Sequence, residues 1–159
     1  MAQQDGAEAT GGTGTGYREV TLTRTSLGHY TARNARGGEI RLAAGDDDSF
    51  TPVELLLAAI AGCSAVDVDH ITSRRAEPEA FDVQVSGVKA STPESGNHMS
   101  DLEVTFTLRF PEGEDGDRAR AALPRAVEQS RDRLCTVSRT VQLGTPITMR
   151  AADLPGTDG

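Results

Sequence analysis

The chain reads as an α+β protein, and three observations carry that reading. Alternating apolar and polar residues, the mark of half-buried strands, cluster on both sides of one long apolar segment. That segment opens with a helix-capping signature. A second helical region and a short alternating stretch follow it, so the order is β-β-β-α-β-β-α-β, with about six strands in a sheet covered on one face by helices.

Each element has its own argument. Residues 17–24 alternate, with Val20 and Leu22 on one face and Thr21 and Thr23 on the other, which predicts a strand. Residues 28–34 and 39–43 predict two more, separated by the turn Arg36-Gly37-Gly38. After the acidic loop Asp46-Asp47-Asp48, the run Thr51-Pro52-Val53-Glu54 is a capping box with Pro at the first helical position. The helix it opens should reach about residue 74, before Pro78. It is apolar all round from Leu55 to Ala61, which predicts burial, and its Ala and Gly residues would let a second helix approach closely.

Residues 81–90 and 101–110 alternate and predict a hairpin joined by a polar loop near Gly96-Asn97. Residues 117–134 are helical in pattern but contain Pro124, which predicts a kink or two short helices. A short helical piece should run from Cys135 to Gly144, and residues 145–150 should form the last strand. The first 16 residues and residues 153–159 have little to bury and read as tails, leaving one domain over 17–152. The central helix is more apolar than one small sheet requires, so a dimer with packed central helices is expected.

The 159 residues carry a formal charge of -8, which argues against nucleic acid and against anionic membrane surfaces. The longest uncharged apolar run, residues 55–66, is too short to span a bilayer, and no secretory signal is visible. With only two Cys, a structural disulfide framework is not expected, and a cytoplasmic location is. No cofactor or metal is expected, because the chain has no CxxC or HxxxH cluster.

The two cysteines are the candidate reactive groups. Cys63 lies mid-helix, beyond the reach of the helix dipole, so a thiolate there needs a neighbouring cation. Cys135 sits at the start of a short helix, where unpaired backbone N–H groups favour thiolate. Either could equally be an inert buried thiol. His70 and Asp67 share the Cys63 helix, but seven residues span about 10 Å, so direct Cys63–His70 pairing is not expected.

The run from Pro52 to Cys63 (PVELLLAAIAGC), with Cys135-Thr136-Val137-Ser138-Arg139-Thr140 far downstream, resembles the OsmC/Ohr family over roughly residues 17–150. The resemblance implies an OsmC-like intertwined homodimer with sites at the subunit interface. It also implies a peroxiredoxin-like thiol peroxidase that reduces organic hydroperoxides in oxidative stress. Cys63 would be the peroxidatic thiolate and Cys135 the resolving thiol, with a small dithiol or a lipoylated protein as reductant. The family uses an Arg to activate the thiol, and Arg41 is the nearest match in order among Arg33, Arg36 and Arg41. The family's Arg-holding Glu falls at Val53, ten residues before Cys63, while Glu54 belongs to the capping box. The alternative is an OsmC-like dimer that binds a small ligand or senses redox state without efficient turnover.

Overall fold

The computed structural model describes residues 14–152; the expected tails fall outside them, apart from residues 14–16, which are exposed. The chain expected to make one domain forms two compact units, one ending at Ala58 and the other beginning at Ala59.

The first unit is an antiparallel sheet in the order β1-β2-β3, with β1 Val20–Ser26, β2 His29–Asn34 and β3 Glu39–Ala43. Thr23 pairs with Thr31, and Thr31 with Arg41. The β2–β3 turn is held by Asn34, whose Oδ1 accepts from the backbone N–H groups of Arg36 (3.0 Å) and Gly38 (2.9 Å). Gly37 there takes φ 87°, a conformation open to glycine and strained for most other residues. Ala32, Leu42 and Ala43 are buried. All seven residues of β1 are exposed, Val20 and Leu22 included, although their alternation marks a face made to be covered.

Helix α1, Pro52–Thr72, starts in this unit with the expected reciprocal cap. The Thr51 N–H donates to Glu54 Oε2 at 2.7 Å, and the Glu54 N–H donates to Thr51 Oγ1 at 3.3 Å. The expectation that α1 is buried all round needs correction. Its buried residues are Ile60, Ser64, Val68 and Thr72, a single stripe at four-residue spacing. The other apolar positions are half-buried or exposed, Val66 at 49%. By length and composition α1 could cross a membrane, since its mean hydropathy over 18 residues is 1.5. The uninterrupted run missed this because Asp67 and Asp69 break it without lowering the mean much. The buried stripe makes α1 a core helix of the fold.

In the second unit, β4 Ala80–Thr92 and β5 Gly96–Arg109 form the expected hairpin. The strands run further toward the turn than patterning suggested, because polar residues also ladder: Ala90 pairs with His98 and Ser91 with Asn97. The register shifts between Ser86 and Val88. A side chain on the intervening Gly87 would come within 2.7 Å of Leu102. Phe81 and Phe106 pack edge to face, ring centroids 6.4 Å apart.

Helix α2 spans Glu114–Gln129 and passes through Pro124 as one helix, which corrects the alternative of two short helices. Proline removes one ladder bond, and acidic residues of the first turn pair with Arg118 and Arg120 to support the helix. The irregularity comes later, where Ser130–Leu134 widen into a π-helical turn. After it, α3 spans Thr136–Leu143 and ends at Gly144 in the left-handed conformation. The last expected strand is also corrected. Residues 145–150 pair with no strand among the described residues, and Ile147 and Met149 are 80% and 86% exposed. The described chain therefore has five strands in two sheets, still a mixed α+β architecture of antiparallel strands and helices.

Candidate functional site

Cys63 and Cys135 lie 72 residues apart in sequence, and the fold brings them together as free thiols: Ser64, the residue after Cys63, donates to Cys135 Sγ at 3.4 Å. Two helical elements do this. α1 carries Cys63 beside its buried stripe, and the π-helical turn delivers Cys135 to the start of α3. The Cys135 sulfur is the N-cap of α3: it accepts the Ser138 backbone N–H at 3.3 Å.

The two sulfurs live in different surroundings. Cys135 is fully buried, 0% exposed, whereas Cys63 is only half-buried. Around Cys135 Sγ, Ser64 Oγ donates at 3.4 Å and Ser138 Oγ lies at 3.1 Å. Burial pushes the Cys135 thiol up, but the hydrogen bonds from Ser138, Ser64 and Cys63 outweigh it, and the net direction is down from the ordinary value. Cys63 moves the other way. Burial raises it, the Val137 backbone N–H opposes that in part, and the neighbouring Cys135 and the Asp67 carboxylate raise it further. Asp67 is itself tied down, accepting from the buried Ser130 Oγ at 2.9 Å.

A cavity of about 320 Å3 adjoins these groups. Ile60, Val104, Phe106 and Val127 make its apolar side, and Ser64, Ser138 and Arg131 are among its polar residues.

Of the other residues singled out in the sequence, His70 lines a depression with Asp69, Ser73 and Glu77. Arg41 belongs to β3 of the first unit, whereas both cysteines belong to the second. Arg41 is exposed and borders one depression with His29 and Asp47. Hydrogen bonds from Ser49 hold the Asp47 carboxyl below its ordinary value, with smaller help from His29 and Arg41. Arg33 is committed to Glu39 at 2.5 Å. His29, Asp46 and Asp47 also gather ligand atoms within 4.8 Å of one another, but all at the exposed or half-exposed surface.

Sequence reasoning missed Ser64, Ser130 and Ser138. A signal existed for one of them. Cys135 read as an N-cap puts Ser138 at the third helical position, where its N–H meets the capping atom. Ser64 is found only once α1 and α3 are seen to meet.

The sequence pattern of the OsmC-like protein family matches residues 45–150, which include both cysteines and the segments that hold them. The chain belongs to the OsmC family. An uncharacterized protein of Mycobacterium tuberculosis is similar to it, 29% identical over 138 residues, or 86% of this chain and 97% of that protein. Among solved structures, a hypothetical protein from Aquifex aeolicus is 25% identical with a TM-score of 0.65, covering 82% of this chain and 91% of that one. An organic hydroperoxide resistance protein from Legionella pneumophila shares the OsmC fold at 16% identity and a TM-score of 0.52, covering 80% and 92%.

Proposed function

We propose that this OsmC-family chain is a cysteine-based thiol peroxidase that reduces organic hydroperoxides through a Cys63 sulfenic acid and a Cys63–Cys135 disulfide. The observation that carries the reading is the meeting of two free cysteines from distant parts of the sequence, with Ser64 next to Cys63 donating to Cys135 Sγ at 3.4 Å. Their unequal burial supports the division of labour. Peroxide from solvent can reach half-buried Cys63, and the sealed Cys135 is suited to meet only its neighbour. The apolar side of the adjoining cavity, made by Ile60, Val104, Phe106 and Val127, suits an alkyl chain better than hydrogen peroxide alone. A solved relative bears the name organic hydroperoxide resistance protein.

The proposal extends to a homodimer in the cytoplasm, re-reduced by a small dithiol or a lipoylated protein. The exposed apolar side of α1, uncovered β1 and the exposed alternation at Ile147 and Met149 support the dimer. By the family likeness Arg41 is the guanidinium that steers the peroxide, so Arg41→Ala should lower turnover while leaving both thiols free to react with alkylating agents.

The test is steady-state reduction of an organic hydroperoxide such as cumene hydroperoxide with a dithiol donor. Cys63→Ser should abolish turnover, and Cys135→Ser should leave a Cys63 that oxidises to a sulfenic acid trappable by dimedone. Full turnover by Cys63→Ser would refute the assignment. A second reading, a ligand-binding or redox-sensing dimer, is favoured by Val53 at the position of the family's Glu and by the raised Cys63 thiol. It predicts slow oxidation of Cys63 and no sustained turnover.

A further inference from the structure

The net charge of -8 hides a local surplus of the opposite sign. Where the C-terminal end of α1 meets α2, within the second unit, a cleft of about 900 Å3 is bordered by four arginines: Arg74 and Arg75 just after α1, Arg118 and Arg125 on α2. One carboxylate, Asp115, stands among them. We propose that this cleft is a binding site for a soluble organic phosphate, whose phosphate groups engage Arg74 and Arg125 and whose organic body rests on the alanines of α2. The cleft shares no lining residue with the cavity beside the cysteines, so the proposal is independent of the thiol chemistry.

The sequence builds the cleft from rigid parts. On α2, Arg118, Ala122, Arg125 and Gln129 recur at helical spacing, which puts them on one face. The turn after α1 is tied back to the helix: the Ser73 N–H donates to the Asp69 carbonyl and the Arg75 N–H to the Thr72 carbonyl, both at 2.9 Å, and Thr72 is fully buried. Two of the arginines are already engaged. Arg118 pairs with Asp115 and Glu114. Arg75 donates to the Ile71 carbonyl at 2.9 Å, as a cation at a helix C-terminus does. Arg74 and Arg125 have no hydrogen bond or ion pair among the described residues.

The chemistry of the occupant follows from charge and shape. Four guanidiniums against one lining carboxylate leave a positive surplus that a single carboxylate does not balance and a diphosphate does. A guanidinium presents two parallel N–H donors, the geometry that matches phosphate oxygens. The floor is apolar, with Ala126 buried and Ile71 and Ala122 half-buried. Its small side chains leave width for the body of an ester, and the cleft is larger than a bare phosphate ion fills. The overall negative charge selects against larger polyanions. A nucleic acid or an anionic bilayer meets the whole acidic surface, whereas a small ligand in the cleft feels chiefly the charges within a Debye length, about 8–10 Å.

The experiment is equilibrium dialysis of the full-length chain against radiolabelled ADP at low ionic strength, without divalent metal. Saturable binding that weakens with added salt is expected. Arg125→Gln and Arg74→Gln should each weaken it about tenfold. Arg24→Gln, which removes the same charge from β1, should change it little. Both cleft arginines are exposed, so either variant gives the answer if the other fails to fold. Inorganic pyrophosphate should compete less well than ADP, because it has no body to lay on the alanines, and citrate, which carries charge without phosphate, less well still. Absence of saturable binding would overturn the proposal, and so would an equal loss in Arg24→Gln, the mark of long-range attraction alone. Equal competition by citrate would overturn the choice of phosphate, and equal competition by pyrophosphate the organic body. Sedimentation with phosphatidylglycerol vesicles should leave the chain in solution; recovery with the vesicles would assign the arginines to a lipid surface and overturn the soluble ligand.

Discussion

Cys63 and Cys135 carry the same functional group, and the fold makes them different acids. Ser64 Oγ and the Ser138 N–H donate to Cys135 Sγ, which itself donates to Ser138 Oγ, whereas Cys63 is raised by burial, its partner sulfur and Asp67. The sign of the consequence follows directly. A raised thiol yields less attacking thiolate at neutral pH, so the single-turnover oxidation rate of Cys63 should climb as pH increases from neutral into the alkaline range. Stopped-flow oxidation across that range checks this, and a rate independent of pH would contradict the raised thiol. Asp67→Asn removes one of the groups that raise Cys63, so it should shift this profile toward acid. Both cysteines were legible in the sequence as candidates, and the N-cap position of Cys135 was too. Their contact was not, because a separation of 72 residues holds no periodic signal. Ser64 was hidden for the same reason: its importance depends on which face of α1 meets α3.

At the scale of single elements, local chemistry was readable where it is self-contained. The capping box at Thr51 and Glu54 formed as written. Thr51→Ala should cost about 1 kcal/mol and lower the melting temperature by about 3 °C in a thermal unfolding scan. Glu54 has its carboxyl lowered by hydrogen bonds from the Thr51 backbone and side chain. A lowered carboxyl stabilises the fold above its unfolded value and loses that contribution as pH falls through the folded one, so the Thr51→Ala deficit should shrink in acid. Local pattern failed where a longer-range constraint decided the outcome. Pro124 allowed two short helices, yet α2 runs on as one to a π-helical turn that positions Ser130 and Cys135. Gly116 in that helix gave no warning, although a side chain there would sit 1.8 Å from the Pro111 carbonyl oxygen. Gly116→Ala should therefore destabilise by about 2–4 kcal/mol in chemical denaturation, because backbone must move.

For the whole molecule, the fold class was legible because two clusters of alternating residues flank one long apolar helix, and the antiparallel strands and helices formed in that order. Residues 145–150 show the limit of that reading. They alternate like a strand, but a strand exists only by pairing, and nothing in the described chain pairs with them. The same holds for β1 and the outer side of α1, where apolar residues stand exposed in the described chain. Light scattering coupled to size exclusion should return about twice the chain mass. Charged substitutions such as Ile147→Glu with Met149→Glu should shift it toward the monomer. A monomer for the unsubstituted chain would remove the dimer from the proposal.

The central claim is that an organic hydroperoxide drives the two sulfurs together. The most direct measurement is the intact mass of reduced protein after one equivalent of cumene hydroperoxide, with remaining thiols then alkylated. The account predicts rapid loss of two hydrogens, no alkylation, and a crosslinked peptide containing Cys63 and Cys135. Two alkylated thiols after minutes of exposure would contradict it and leave ligand binding or redox sensing as the function of the pair.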